Sequence, residues 1–370
     1  MNLISKWINT LVFGAARFIL YLYRVEWVRI QRKRVVKSDF AKKRNHLKRL
    51  TADQQKEIIS YWAPLFNAKK EMHWFEFYNN ICVDKATLKY YVPDSVYYID
   101  FDRIITNSGR AQMMDDKNLY DLLFHDINRP RCIARKTNGT LLDSDYQIIT
   151  ADQAYQLCKA QGRIIAKEAR VSAGGKGVKF MDFNEVSREQ FIDWTDRHPE
   201  FVIQEIIEQH ETLSSIHAAS INTIRIMTML HDGKVIVLSS VLRMGKDGAK
   251  VDNASSGGIV CGIDDKGCLK EYAYDVHGDR WSQHPQGAVF KGIPIPGFDK
   301  CRQLVIRLAG RLCNTSPLVS WDLAVGKDGE PILIECNMTF GQLDFHQMCN
   351  GPIFGDRPME FLSTVLPLKH

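Results

Sequence analysis

No pair of cysteines in this chain stands at a spacing that metal sites or redox motifs use. The nine (Cys82, Cys132, Cys158, Cys261, Cys268, Cys301, Cys313, Cys336 and Cys349) are scattered singly, with no CxxC and no histidine partner at zinc spacing. That excludes a secreted disulfide framework and suits the reducing cytosol. Long apolar runs are also missing. The nearest, residues 7–23, is broken by Asn9 and Arg17, and a charge near the middle of a spanning helix costs about 2.5–3.5 kcal/mol. The apolar stretch before Gly14-Ala15-Ala16 is too short for a cleaved leader. The body lacks excess positive charge: residues 1–50 carry thirteen Lys and Arg against Glu26 and Asp39, or +11, whereas the other 320 residues carry 36 basic and 41 acidic groups, or −5. A body of that sign, without basic and aromatic residues interleaved on one face, excludes a nucleic-acid-binding surface.

What is present in the first 50 residues is an apolar helix followed by a polybasic segment, the composition of an arm that lies on an anionic membrane surface. The alternative is a helix packed on the body beside a solvated basic one. At 370 residues the chain holds two or three subdomains. Thr51 with Gln54 predicts a capped helix over 51–70. Strand-like and loop pieces are expected around Tyr90–Pro93. Asp115-Asp116-Lys117 opens a helix through Phe124, Asn138-Gly139 joins two strands, and a helix follows Thr150.

Arg163 to Lys167 reads as a strand, followed by a flexible loop, Ser172-Ala173-Gly174-Gly175-Lys176-Gly177, and a second strand from Val178. Glycines let backbone N–H groups approach a polyphosphate. This is no Walker loop, because Gly177 and a strand follow Lys176 where that motif needs Ser or Thr and a helix. Phe201 to Ile207 is an apolar strand carrying Gln204 and Glu205. Asp232-Gly233 joins strand 222–230 to strand 235–243. Arg225 inside the first strand is costly if buried and unpaired, so it faces a carboxylate or reaches water at an edge. The loop Asp252–Gly258, with Asn253, Gly257 and Gly258, has the length and composition of loops that close on ligands.

The central stretch is Pro317–Asn337. Taking Asp328-Gly329 as a two-residue hairpin loop makes opposed residues sum to 657 and sets Asp322 across from Glu335, with Asn337 on the same face. Trp321, Leu323, Val325, Ile332, Ile334 and Cys336 fall on the other face, toward the core. Two opposed carboxylates repel unless a cation lies between them, and Mg²⁺ in an oxygen shell is one; a solvated polar face is the other reading. Residues 300–314 are expected to form a helix that covers the sheet.

Taken in order, these pieces resemble the ATP-grasp superfamily. The runs at 116–130 (DKNLYDLLF…INRP), 221–228 (INTIRIMT), 251–258 (VDNASSGG) and 334–344 (IECNMTFGQLD) are similar to its sugar-transfer-associated branch, over roughly residues 90–365. The resemblance implies an α+β fold in which two subdomains clasp ATP between antiparallel sheets, behind an N-terminal helical basic arm. The expected divisions are 1–50 (arm), 51–115 (mixed helical segment), 116–200 (lid subdomain) and 201–370 (core with the metal site).

It further implies that Lys117 and Lys167 hold the α- and β-phosphates of ATP and that Gly174, Gly175, Lys176 and Gly177 cover the β- and γ-phosphates. Gln204, Glu205 and the backbone of Ile207 would meet adenine, and Glu211 the ribose. Asp322, Glu335 and Asn337 would hold two Mg²⁺ ions, while Arg243 and Arg225 neutralise the transferring phosphate; Asn253, Gly257 and Gly258 would face the substrate. Several ligases of the superfamily carry Arg two residues before the first metal carboxylate, where this chain has Ser320. The expected activity is ligation of a small carboxylate, activated as an acyl phosphate, to an amine or sugar-linked acceptor, in the service of a cell-surface sugar or its precursor. The alternatives are a kinase of the same fold acting on a hydroxyl, and a non-catalytic nucleotide-binding protein associated with a membrane. The expected location is the cytoplasm, with peripheral contact at the inner face of the membrane through residues 1–50 where the arm reading holds.

Overall fold

The computed structural model describes residues 22–366 apart from 24, 115 and 171–176, together with residue 368. Two antiparallel sheets organise it. The five-stranded sheet has the order β2-β1-β5-β3-β4, formed by β1 (Cys132–Thr137), β2 (Thr140–Asp143), β3 (Arg163–Glu168), β4 (Val178–Asp182) and β5 (Phe201–Glu205). The seven-stranded sheet has the order β10-β9-β8-β7-β6-β11-β12. Its strands are β6 (Thr223–His231), β7 (Lys234–Met244), β8 (Ile259–Ile263), β9 (Leu269–Tyr274), β10 (Arg280–Trp281), β11 (Leu318–Val325) and β12 (Pro331–Asn337).

Local chemistry accounts for most of these elements. Asn138 and Gly139, and again Asp232 and Gly233, take positive φ at the two centres of tight hairpin turns, the conformation whose twist matches the flanking strands. Thr51 with Gln54, Thr150 with Gln153 and Ser187 with Gln190 form reciprocal capping boxes at the starts of helices Ala52–Trp62, Ala151–Gln161 and Arg188–Arg197. The helix expected over 51–70 stops at Trp62, just before Pro64, and a short 3₁₀ turn, Ala68–Glu71, follows. Around Tyr90–Pro93 there are no strands: a 3₁₀ turn, Lys85–Tyr90, leads to a π-helical turn, Val96–Phe101, whose aromatic side chains are buried.

The seven-stranded sheet is covered on both faces. Helix Phe298–Ala309 packs Cys301, Leu304, Val305 and Leu308 against Ile224, Ile226, Trp321 and Leu323 on one face. On the other, Phe75, Phe77, Tyr97 and Phe101 pack against Met227, Met229 and Val241. The smaller sheet has its own core around Ala154, Phe191, Ile164 and Ile203.

The described part of the basic N-terminal segment docks onto this body. Residues 25–41 are helical; Val36 joins the core, and Arg32 reaches Asp102 at 2.5 Å and the Tyr98 carbonyl at 2.6 Å. Lys43 is buried and donates to Asp344 at 2.8 Å. Burial pulls its ammonium down, and Asp344 more than offsets this, so Lys43 stays charged. Removing one partner of such a pair leaves a buried charge uncompensated. Asp344→Ala should therefore lower the unfolding free energy by about 3–5 kcal/mol, whereas Lys43→Met/Asp344→Leu should recover most of that loss in urea titrations. Equal losses in the single and double variants would mean that the pair is not coupled.

Candidate active site

The site begins at the hairpin between β11 and β12. Its loop has three residues, Lys327-Asp328-Gly329, closed by Gly329 N–H donating to the Gly326 carbonyl and Gly326 N–H donating to the Glu330 carbonyl, both at 2.9 Å. Gly329 takes φ +79°, as the last residue of a type I turn with a bulge does. Near the turn, pairs therefore sum to 656: Leu323 faces Leu333 and Val325 faces Pro331. An irregularity after Asp322 then inserts Ile334 as an extra residue, so Asp322 faces Glu335, Trp321 faces Cys336 and Ser320 faces Asn337. The carboxylate pair expected from a two-residue loop is present because two one-residue offsets cancel. The core face differs accordingly. Leu333 is buried with Trp321, Leu323, Val325 and Cys336, while Ile332 is half-buried and Ile334 turns into a cavity.

Asp322 is buried between two guanidiniums. Arg225, its direct neighbour on β6, donates from Nε to Oδ1 at 2.6 Å and from Nη2 to Oδ2 at 2.5 Å; Arg243 on β7 donates from Nη1 to Oδ2 at 3.0 Å. Burial works to raise the Asp322 carboxyl, and Arg225 and Arg243 outweigh it, holding the group below the usual carboxylate range. The Arg225 side chain thus answers the question its strand position left open: β6 is an interior strand, and the cation is paired. Its remaining Nη1 donates to Gln342 Oε1 at 2.7 Å. Ser320 lies buried against Gly341, where a Cβ would come within 2.2 Å of its Oγ. An arginine has no room at that position, and β6 supplies the guanidinium from the next strand.

Glu335 is half-buried, 3.8 Å from Lys117 Nζ, and accepts from Asn337 Nδ2 at 3.5 Å. Lys117 is placed by its own N–H, which donates to the Ala169 carbonyl just beyond β3 at 2.9 Å. Lys167, from β3, points into the same space. Burial, with Lys117 adding to it, lowers its ammonium to about 8 against the pull of Glu335.

A cavity of about 590 Å³ runs between the two sheets and collects Lys117, Lys167, Glu205, Ile207, Arg243, Asn253, Asp322 and Glu335. Gln204 is not among them. It alternates to the opposite side of β5 from Glu205, where it is buried and reaches the Pro130 carbonyl at 3.5 Å. Glu211 sits exposed at the start of helix Glu211–Ser214, outside the cavity. Gly257 and Gly258 do not line it either. A Cβ on Gly258 would stand 2.7 Å from the Asp252 and Met244 carbonyls, so this glycine lets the loop fold onto the end of β7. Gly174, Gly175 and Lys176 lie outside the described residues. Gly177 takes φ +77°, with Glu168 pressed against the place a Cβ would occupy.

Several lining residues escaped the sequence reading. Ile165, Val178, Phe180 and Ile334 give the cavity an apolar side, and Lys250 a charge beside Asp252 of the loop expected to close on a ligand. The spacing Arg163, Ile165, Lys167 on one strand carries the period-two signal for the first of these; Ile334 follows only from the bulge.

Among the described residues no group of three or more His, Cys, Asp and Glu is arranged to hold a metal. The donor set nonetheless fits a hard cation that arrives with an anion. Asp322, opposed to Glu335 across the hairpin, brings two carboxylates together, and Asn337 adds a further oxygen.

No curated protein matches the sequence. Solved structures similar to it include an L-amino acid ligase from Bacillus licheniformis, at 14% identity and TM-score 0.40, with 70% of this chain and 48% of that one covered. D-alanyl-alanine synthetase A from Vibrio cholerae is similar at 13% identity and TM-score 0.39, over 68% of this chain and 65% of that one. The biotin carboxylase domain of the Hydrogenobacter thermophilus 2-oxoglutarate carboxylase is similar at 12% identity and TM-score 0.43, over 70% and 48%. The chain thus spans about half to two thirds of the length of these structures. The model of the sugar-transfer-associated ATP-grasp family matches residues 98–360, which take in both sheets and every described side chain of the cavity: the chain belongs to that family.

Proposed function

We propose that this protein is an ATP-dependent ligase that activates a small carboxylate as an acyl phosphate and passes the acyl group to an amine, acting on a cell-surface sugar or its precursor. The observation that carries this reading is the opposed pair Asp322 and Glu335, with two lysines on one side and two guanidiniums on the other. Phosphoryl transfer needs positioning and charge neutralisation more than a nucleophilic side chain, and this arrangement supplies both.

In this reading Ile165, Val178, Phe180 and Ile334 pack on adenine, with Glu205 and the Ile207 backbone at its edge. Lys117 and Lys167 hold the α- and β-phosphates, and the glycine-rich loop ending at Gly177 covers the β- and γ-phosphates. Asp322, Glu335 and Asn337 would hold the expected two Mg²⁺ ions, which when bound would neutralise charge on the phosphate oxygens. A carboxylate oxygen attacks the γ-phosphorus, the bond to the β-phosphate bridging oxygen breaks, and ADP leaves. Arg243, whose Nε has no protein partner, and Arg225 are placed to balance the charge of the transferring group. The amine then attacks the acyl carbon, inorganic phosphate departs and the nitrogen loses a proton.

The N-terminal segment fits peripheral contact with an anionic membrane at the inner face. None of the described helices is long and apolar enough to cross a bilayer, but Tyr23, Trp27 and Ile30 are exposed, and Lys33, Arg34 and Lys37 stand exposed further along the same helix. Trp27→Ala/Ile30→Ser should release the protein from anionic vesicles without altering ATP use; unchanged sedimentation with vesicles would remove this contact from the account.

Two predictions test the site. Glu335→Gln should cut ATP-dependent turnover by about a hundredfold, the upper end of what mutating even the partners behind metal ligands costs, with the thermal melt unchanged; retained activity would place the metal elsewhere. The second concerns pH. The free enzyme holds the Lys167 ammonium only up to about pH 8, and a phosphate contact requires that charge. ATP affinity should be level below pH 8 and fall by up to about tenfold per unit above it, a fall that Lys167→Arg should abolish because its guanidinium stays charged. A wild-type profile flat to pH 10 would separate Lys167 from the phosphates.

A further inference from the structure

A second cavity, of about 470 Å³, lies on the far side of the same charged partition. Lys117, Arg243, Asn253 and Glu335 line both cavities, so whatever fills the second meets the nucleotide's side of the site across those groups. Arg225 also faces it. Its opposite wall comes from the N-terminal segment, through Val35, Val36, Asp39, Lys42 and Lys43, all of which precede the family-matched residues 98–360.

The chemistry changes across this space. One end is cationic. At the other, charges are neutralised in pairs: Lys42 donates to Asp39 at 2.9 Å and Lys43 to Asp344 at 2.8 Å. Asp94, also in the lining, accepts from the Tyr78 hydroxyl at 3.0 Å, and burial and then Asp344 push its carboxyl well above the usual range, favouring the uncharged acid. That end therefore offers many donors and acceptors and little net charge, which matches hydroxyl groups better than a second ion. Tyr98 and Phe340, stacked with centroids 5.0 Å apart, also line the cavity.

Phe340 and Gln342 both take positive φ, +52° and +63°, a conformation that costs side-chain-bearing residues energy and persists only where the surroundings impose it. The N-terminal helix is part of that imposition, since the Arg32 guanidinium lies 5.1 Å from the centre of the Phe340 ring. Gln342 is held by its bond from Arg225.

We infer that this second cavity seats the carboxylate substrate, and that the substrate is a polyhydroxylated acid of the uronic-acid type. Its carboxylate lies toward Arg225 and Arg243, and its hydroxyl-bearing end is read by Asp39 and its neighbours on the N-terminal segment. The inference rests on the ligase reading and adds to it the acid's chemical class and the residues that select it. Selectivity then resides in a part of the chain outside the family-matched region.

The test uses the full-length protein with ATP, Mg²⁺ and hydroxylamine, which captures an acyl phosphate as a hydroxamate with release of phosphate. Glucuronate and galacturonate are compared with hexanoate, alanine and glutamate. The hydroxy acids should react with kcat/KM at least tenfold above the others. Asp39→Ala should raise their KM at least tenfold while leaving the KM for ATP within twofold, Asp39→Asn should recover part of the loss, and Val35→Trp, at a largely exposed position on the cavity rim, should raise the same KM. Thermal melts identify any variant that fails to fold, and the wild-type preference decides the matter without the variants. Hydroxamate formed preferentially from hexanoate or an amino acid, or a KM for the acid untouched by Asp39→Ala and Val35→Trp in folded protein, would overturn this inference and leave the ligase reading standing. No hydroxamate from any acid, with ATP bound, would remove both.

Discussion

The structure around the site depends on one buried carboxylate shared by two guanidiniums. Asp322 is buried on β11, an interior strand of the seven-stranded sheet, where an ion without partners would be untenable. Arg225 is its cross-strand neighbour and Arg243 belongs to the strand beyond. Each cation would be equally costly there alone, so the three groups justify one another's burial and fix the relation of β6, β7 and β11 at the point where the two cavities meet. The same constraint extends outward. Arg225 holds Gln342, Arg243 reaches Asp252 at 3.4 Å, and the strained segment around Phe340 is pinned from both sides.

A net positive frame is what an anionic nucleotide requires. Arg225, Arg243, Lys117 and Lys167 surround Asp322, Glu335 and Asp252. The lysines arrive from the five-stranded sheet and the helical turn beside it, the guanidiniums from the seven-stranded sheet, so the site exists only where the two sheets face one another. Lys117 is tied to the end of β3 through the Ala169 carbonyl, which couples both lysines to one structural unit.

Much of this frame could be read from residue order, and the failures have physical causes. Asn138-Gly139 and Asp232-Gly233 specify their turns through backbone conformation alone, and the capping boxes at Thr51 and Thr150 act within one helical turn, so local chemistry sufficed. The Asp322 and Glu335 pairing was expected from the wrong loop length and survived because the Ile334 bulge returned the residue that the longer loop had removed. Parity cannot be read so far from a turn, which is why Ile334 was expected on the core face of its strand; Gln204 was placed by resemblance, and its alternation with Glu205 turns its side chain away from the cavity. The docking of residues 25–41 was not legible at all. A basic helix reads as solvated until the acids it will meet are known, and Asp102 and Asp344 lie far away in sequence.

The central claim is that this site moves a phosphoryl group onto a carboxylate oxygen. The most direct measurement supplies the acid substrate with ¹⁸O in both carboxyl oxygens, allows one round of ligation, and reads the released phosphate by ³¹P NMR. Transfer through an acyl phosphate places one ¹⁸O in inorganic phosphate and leaves the other in the amide product. Unlabelled phosphate would contradict it.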